Sequence, residues 1–134
     1  MSDFNKQVIE EFRANEGKVG GYFEGATLLL LHTTGAKSGQ ERVSPVMTFV
    51  DDGKQVIIAS KAGADTHPDW YYNIVANPEV TVELGTETFK AAATVTDEPQ
   101  RTELYDKVEA ISSGFTEYKN KTDRVIPVVT LARK

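Results

Sequence analysis

The segment Thr33-Thr34-Gly35-Ala36-Lys37-Ser38-Gly39-Gln40-Glu41-Arg42 gathers residue types that hold an anion. Its two glycines permit turns in which backbone N–H groups converge on a negative ligand, forming a nest. Thr33, Thr34 and Ser38 add hydroxyl donors. Lys37 and Arg42 add positive charge, and a guanidinium grips a phosphate with two parallel hydrogen bonds. Such a group stands out in a chain whose formal net charge is -5. The order is not that of a nucleotide P-loop, because the first glycine of G-x-x-x-x-G-K-[ST] is not at the required distance and no helix follows. A polar hairpin turn carrying a surface lysine is the plain alternative. The expectation is a phosphate site.

A second loop, Ser60-Lys61-Ala62-Gly63-Ala64-Asp65, is followed by His67-Pro68-Asp69-Trp70-Tyr71-Tyr72-Asn73. Three aromatics in a row beside a glycine-bearing loop suit a planar heterocycle: backbone groups reach its polar edge while apolar bodies cover its face. Lys61 would bring positive charge to a ring or a phosphate. Trp70 shares a helical face with Ile74 and is expected to pack on the sheet. His32 lies inside an apolar strand and reads as a hydrogen-bonded core residue, and His67 as a residue that stabilises its loop. Two histidines without carboxylates at ligand spacing make no metal site, and no H-E-x-x-H occurs. Ser44-Pro45 and Ser60-Lys61 lack the nucleophile turn of a hydrolase.

These loops must hang from elements. Asp3 to Ala14 places Phe4, Val8, Ile9 and Phe12 on one helical face, with Ser2 or Asp3 as N-cap. Gly17, Gly20, Gly21 and Gly25 break it. Strands are expected over Ala26–Thr33, Arg42–Val50 and Lys54–Ser60, the last two joined by the hairpin signal Asp51-Asp52-Gly53. Proline sits near the start of a helix from Trp70 to Ala76, which Asn77-Pro78 ends. Two further strands follow, Glu79–Leu84 and Thr86–Val95. Then come a helix from Gln100 to Ser112 with Leu104, Val108 and Ile111 on its buried stripe, a helical turn from Phe115 to Asn120, and a strand from Ile126 to Ala132. Six short strands with hairpin links and a few helices predict a mainly β (α+β) protein, a small antiparallel barrel decorated with helices.

With 134 residues the chain fits one domain, long enough to bury roughly two thirds of its unfolded surface. Its acidity argues against nucleic acid as the main partner. There is no cysteine, so disulfides, thiolate metal sites and cysteine nucleophiles are excluded. The longest aliphatic run, Leu28 to Leu31, is too short for a transmembrane segment, and the start of the chain does not resemble a signal peptide. The expected setting is cytoplasmic.

From Leu28 to Leu131 the sequence resembles the deazaflavin-dependent nitroreductase family. The likeness rests on Leu30-Leu31-His32-Thr33-Thr34-Gly35-Ala36-Lys37-Ser38-Gly39-Gln40, Ser44-Pro45, Ala59-Ser60-Lys61-Ala62-Gly63 and His67-Pro68-Asp69-Trp70-Tyr71-Tyr72-Asn73 with Asn77-Pro78. Tyr118 and Thr122-Asp123-Arg124-Val125-Ile126-Pro127-Val128 complete it. The resemblance implies a split β-barrel related to flavin-mononucleotide-binding proteins, with coenzyme F420 in place of the flavin. It places residues 1–25, the N-terminal helix and loop, outside the shared core, positioned to cover the pocket. By position, Lys37, Ser38, Gly39 and Arg42, with Thr34 and Gly35 of the same loop, hold the phosphate and acidic tail. Ser44 and Pro45 lie along the ribityl chain and ring. Ser60, Lys61, Ala62 and Gly63 meet the ring or phosphate, and Trp70, Tyr71 and Asn73 close one side.

The implied reaction is hydride transfer from reduced F420 to a small acceptor such as a quinone or a nitro compound, with Tyr118, Ser60 or water delivering the proton. Relatives that activate nitroimidazoles carry several tyrosines before the T-D-R segment. Here Tyr118 stands alone, with Phe115 and Ser112 at the neighbouring turns, which argues against nitroimidazole activation and leaves quinone reduction standing. The rival readings are an FMN-dependent reductase and a non-catalytic F420 carrier. The protein is expected to act as a monomer or homodimer, with peripheral membrane contact open to it for a lipophilic acceptor.

Overall fold

The computed structural model describes residues 3–20 and 27–134. The Ser2 cap, the breaks at Gly21 and Gly25 and the start of the first strand at Ala26 lie outside them, as does the side chain of Phe4. Helix α1 (Asp3–Ala14) precedes β1 (Leu28–Thr34), β2 (Glu41–Asp51) and β3 (Lys54–Ile58). A 3-10 turn at Lys61–Gly63 leads to α2 (Asp69–Ala76), then β4 (Glu79–Leu84) and β5 (Glu87–Val95). Helices α3 (Gln100–Ile111) and α4 (Gly114–Asn120) come before β6 (Val128–Arg133). The six strands close a barrel in the order β1-β2-β3-β6-β5-β4, every neighbouring pair antiparallel. The expected mainly β architecture with helices packed on a barrel is the one observed.

Side-chain alternation along a strand explains why several strands read as continuous apolar runs. Leu29 and Leu31 join Ile57, Val82, Val129 and Leu131 in one cluster, into which Trp70 and Ile74 of α2 also pack. Leu28 and Leu30 point the other way and are covered by Val8, Ile9 and Phe12 of α1. Val56, Ile58 and Val128 are covered by Leu104, Tyr105 and Val108 of α3 and Phe115 of α4. These strands are buried on both faces, so no polar residue is needed at alternate positions. The β2–β3 turn follows its sequence signal: Asp52 (φ 50°) and Gly53 (φ 74°) both take the left-handed conformation that a tight hairpin requires.

One expectation needs correction. Ile111 is 71% exposed, and the buried stripe of α3 is Leu104, Tyr105 and Val108. Its spacing puts Ile111 in line with the inner face, but it is the final residue of the helix and its side chain is left largely in solvent. His32 is hydrogen-bonded as expected, though half-buried where a core place was expected: its Nε2 lies 2.5 Å from Oε2 of Glu83. The same carboxylate takes Nη2 and Nε of Arg13 at 2.7 and 3.2 Å, which ties α1 to β4. The Arg13 hydrogen bond, helped by His32, holds the Glu83 carboxyl below the usual carboxylate range despite its partial burial.

Tyr105 is the largest fully buried side chain among the described residues, and its hydroxyl donates to the Phe115 carbonyl at 2.6 Å. Burial pushes its phenol up to about 12. Replacing Tyr105 by Phe would leave that carbonyl without its donor. The expected loss is about 1–2 kcal/mol of unfolding free energy in a urea titration; unchanged stability would show that water takes over the bond.

Candidate functional site

The β1–β2 ladder runs out to the pair Thr34–Glu41, so the loop between them is held as a short turn. Within it Gly35 N–H donates to the Gln40 carbonyl at 2.8 Å and Gly39 N–H to the Gly35 carbonyl at 3.0 Å. The Ser38 hydroxyl accepts from Gln40 N–H at 3.2 Å. A Cβ on Gly35 would stand 2.5 Å from that hydroxyl, so a side chain there would force Ser38 to move. The two glycine N–H groups are thus committed inside the turn, and the donors left for an anion are those of the residues between them. The N–H groups of Lys37 and Ser38 have no acceptor among the described residues, and they stand beside the side chains of Lys37, Ser38 and Arg42.

Asn73, on α2, holds this turn against the barrel. Its Oδ1 accepts the Ala36 N–H at 2.9 Å and its Nδ2 donates to Thr33 Oγ1 at 3.1 Å. Asn73 is buried, so the amide braces the turn. Trp70, one turn earlier, both packs in the barrel cluster with Ile74 and borders the space outside it.

That space is a cleft of about 1040 Å³ between the turn and α2. Gly35, Lys37, Ser38, Arg42 and Ser44 form one wall, Trp70 and Asn73 the other. Asn5, Asp69 and Tyr72 also border it and were not singled out from sequence as binding residues. Asn5 brings α1 to the cleft, which only tertiary structure could show. Thr34, Gly39, Pro45 and Tyr71 are chain neighbours of the wall without lining it. Ser60, Lys61, Ala62, Gly63 and Tyr118 belong to a second region.

The charges in the cleft decide what it can hold. Arg13, Lys107, Lys119, Arg133 and Lys134 each sit 2.7–3.0 Å from a carboxylate. Lys37 and Arg42 have no such partner among the described residues. Two carboxylates also line the cleft: Glu41, drawn 3.3 Å from His32 Nδ1, and Asp69 at the start of α2. Two unpaired cations beside two open N–H groups fit a polyanionic ligand.

The second region centres on Arg124, a residue missed as functional although it lies in a quoted motif. Its guanidinium donates to the carbonyls of Ala64 (2.8 Å), Ala59 (3.1 Å) and Ser60 (2.7 Å) and to His67 Nδ1 (2.9 Å). It therefore clamps the whole segment between β3 and α2. His67 stabilises this segment as expected, and burial first, then the Arg124 charge, holds its imidazole below the ordinary value. Its ring packs against Tyr71 and Tyr72 at centroid distances of 4.5 and 5.7 Å, linking the clamp to the cleft wall. Lys61 (φ 47°) directs its ammonium to Thr66 Oγ1 at 3.2 Å. Gly63 (φ 82°) lies so close under α4 that a Cβ would meet the Tyr118 carbonyl at 2.9 Å. The Tyr118 ring packs on Phe115, 5.4 Å between centroids.

A closed antiparallel barrel with a cleft carrying Lys37 and Arg42 beside one hairpin defines a split-barrel class. A solved F420-H2 dependent reductase (FDR-A) has this fold: 37% identity, 78% of this chain and 92% of that one covered, TM-score 0.70. A second structure, a domain-swapped dimer, is 33% identical over 94% of this chain and 96% of its own, with a TM-score of 0.73. An F420H(2)-dependent quinone reductase of Mycobacterium tuberculosis is 37% identical over 127 residues, 92% of this chain and 85% of the relative. The model of the F420H(2)-dependent quinone reductase family matches residues 4–133, a span that includes nearly all of α1. The chain belongs to that family. It is accordingly an oxidoreductase with coenzyme F420 as its cofactor, and the family reaction carries a hydride from F420H2 to a quinone. This agrees with the resemblance read from the motifs.

Asn73→Ala removes the brace between α2 and the turn. It is expected to cost about 1–3 kcal/mol in urea unfolding and to weaken coenzyme binding in a fluorescence titration. Affinity retained at reduced stability would show that the turn holds its shape unaided.

Proposed function

We propose that the cleft between the β1–β2 turn and α2 holds the phosphate and acidic tail of coenzyme F420, and that the ring lies toward the segment clamped by Arg124. The observation that carries this reading is the pair of unpaired cations, Lys37 and Arg42, on a wall shaped by Asn73. Ser38 and Gly39 complete the phosphate turn with Thr34 and Gly35. A further feature supports the position of the ring. The β2–β3 ladder ends at the pair Thr48–Ile57, so β2 continues through Pro45 and Ser44 paired with β1 alone. Proline is suited to that unpaired edge, since it has no N–H to lose. We place the ring along this edge, with Ser44 and Pro45 on one side and Ser60, Lys61, Ala62 and Gly63 on the other. Trp70, with Tyr71 behind it, closes the end.

When bound, coenzyme F420 supplies the hydride. The protein's part is to orient the acceptor and hold the ring at reacting distance. The backbone N–H groups of Ser60 and Lys61 favour negative charge on the ring. Proton delivery falls to the Ser60 or Tyr118 hydroxyl, or to water. The acceptor is a quinone in preference to a nitroimidazole, because Phe115 is committed to the core beside Tyr118 instead of presenting a hydroxyl. We further infer that the enzyme works in the cytoplasm as a monomer or homodimer and reaches lipophilic quinones by peripheral contact with a membrane. Among the described residues no helix is long and apolar enough to cross one.

Fluorescence titration of the purified protein with coenzyme F420 and with FMN tests the assignment. Tight binding of F420 alone is expected, with coenzyme oxidation when quinones are added. Preferred binding of FMN would overturn it, and binding without turnover across quinones and nitroarenes would make the protein a carrier. Lys37→Ala with Arg42→Ala should weaken F420 binding, each lost charge-assisted bond being worth roughly 1.5–3 kcal/mol; undiminished affinity would move the acidic tail elsewhere.

A further inference from the structure

Arg124 is a partly buried cation with no carboxylate partner among the described residues. All four of its hydrogen bonds go to neutral acceptors: the carbonyls of Ala59, Ser60 and Ala64, and the His67 ring. Burial lowers its pKa, and the more distant Tyr72, Asp65 and Tyr105 offset this only in part. A surface loop needs no such clamp to stay folded, and neutral donors would satisfy the same carbonyls without the cost of desolvating a charge.

The peptide units that Arg124 grips suggest a use for the charge. In a trans peptide the C=O and N–H point in opposite directions. The Ala59 carbonyl shares its peptide plane with Ser60 N–H, and the Ser60 carbonyl with Lys61 N–H. Neither N–H has a backbone acceptor among the described residues, whereas the neighbouring Ala59, Gly63 and Ala64 N–H groups all do. A cation bound to a carbonyl oxygen polarises the whole peptide unit and strengthens its N–H as a donor. Two adjacent donors are thus left open on the side of the segment away from the guanidinium, both polarised by the same charge.

We infer that Arg124 is a positioning residue that relays its charge through the Ala59 and Ser60 carbonyls to the Ser60 and Lys61 N–H groups, which then stabilise negative charge on the bound ring. The inference rests on the placement of the ring beside this segment under the proposed function. It assigns to the T-D-R segment an electrostatic part in the reaction, with no direct contact to the coenzyme. It also separates two tasks: Lys37 and Arg42 govern how tightly the coenzyme is held, and Arg124 governs how readily it reacts.

The test compares wild type, Arg124→Ala and Arg124→Lys as full-length chains, with coenzyme F420 and a soluble naphthoquinone. For Arg124→Ala, the F420 dissociation constant should stay within about three-fold of wild type while kcat falls about ten-fold or more. Added guanidinium at non-denaturing concentration should restore part of kcat. An NMR titration of the His67 ring without coenzyme reads the clamp itself, and its pKa should rise toward the ordinary 6.5 in Arg124→Ala. If that variant fails to fold, Arg124→Lys, which keeps the charge but not the fork of donors, should show a smaller fall in kcat with affinity unchanged. An unaltered kcat, or affinity and rate falling together without rescue, would overturn the inference while leaving the proposed function in place. Wild-type protein that binds no F420 would overturn both.

Discussion

Asn73 sits where α2 meets the end of β1, and both ends of its buried amide are committed there. One accepts the Ala36 N–H and the other donates to Thr33 Oγ1. Helix and turn form the two walls of the cleft and share no strand pairing, so their relative placement depends on contacts of this kind. The turn could otherwise swing about the last β1–β2 pair, Thr34–Glu41. With the amide in place, Lys37, Ser38 and Arg42 face α2 across a fixed gap. The hydrophobic anchor beside it, Trp70 with Ile74 in the barrel cluster, sets the helix, and the amide then sets the turn relative to the helix.

Several surface cations pair with carboxylates, and those contacts are worth little to stability because water already solvates both partners. Lys37, Arg42 and Arg124, at the two regions of the site, have no carboxylate partner among the described residues. Lys37 and Arg42 are also exposed, so a polyanion meets them without first displacing an internal carboxylate. Arg124 is unpaired and partly buried, held by carbonyl dipoles. An acidic chain of net charge -5 thus keeps locally positive features at the cleft proposed for its anionic coenzyme, and its overall charge discourages other polyanions.

Much of the barrel could be read directly. The Asp52-Gly53 turn, Asn77-Pro78 at the end of α2 and the apolar run of β1 are local signals, and the elements they bound appeared within about two residues of their expected limits. Ile111 shows where such reading stops. Periodicity identifies a helix face but not how far the surface beneath it extends. The glycine turn shows the same boundary from another side. Gly35 and Gly39 marked the right loop, yet their N–H groups close the turn internally, and which donors stay open depends on register and on Asn73, 37 residues further along from Ala36.

The sequence by itself determined the strand and helix content, the family and hence the coenzyme. All of these reside in residue type and short-range order. Tertiary structure decided that Asn5 of α1 reaches the cleft, that Asn73 braces the turn, and that Arg124 reaches back more than sixty positions, as far as Ala59 and Ser60, to clamp the other loop. Contacts of that kind arise from how a closed barrel brings distant strand ends to one rim, and no local pattern of residues encodes them.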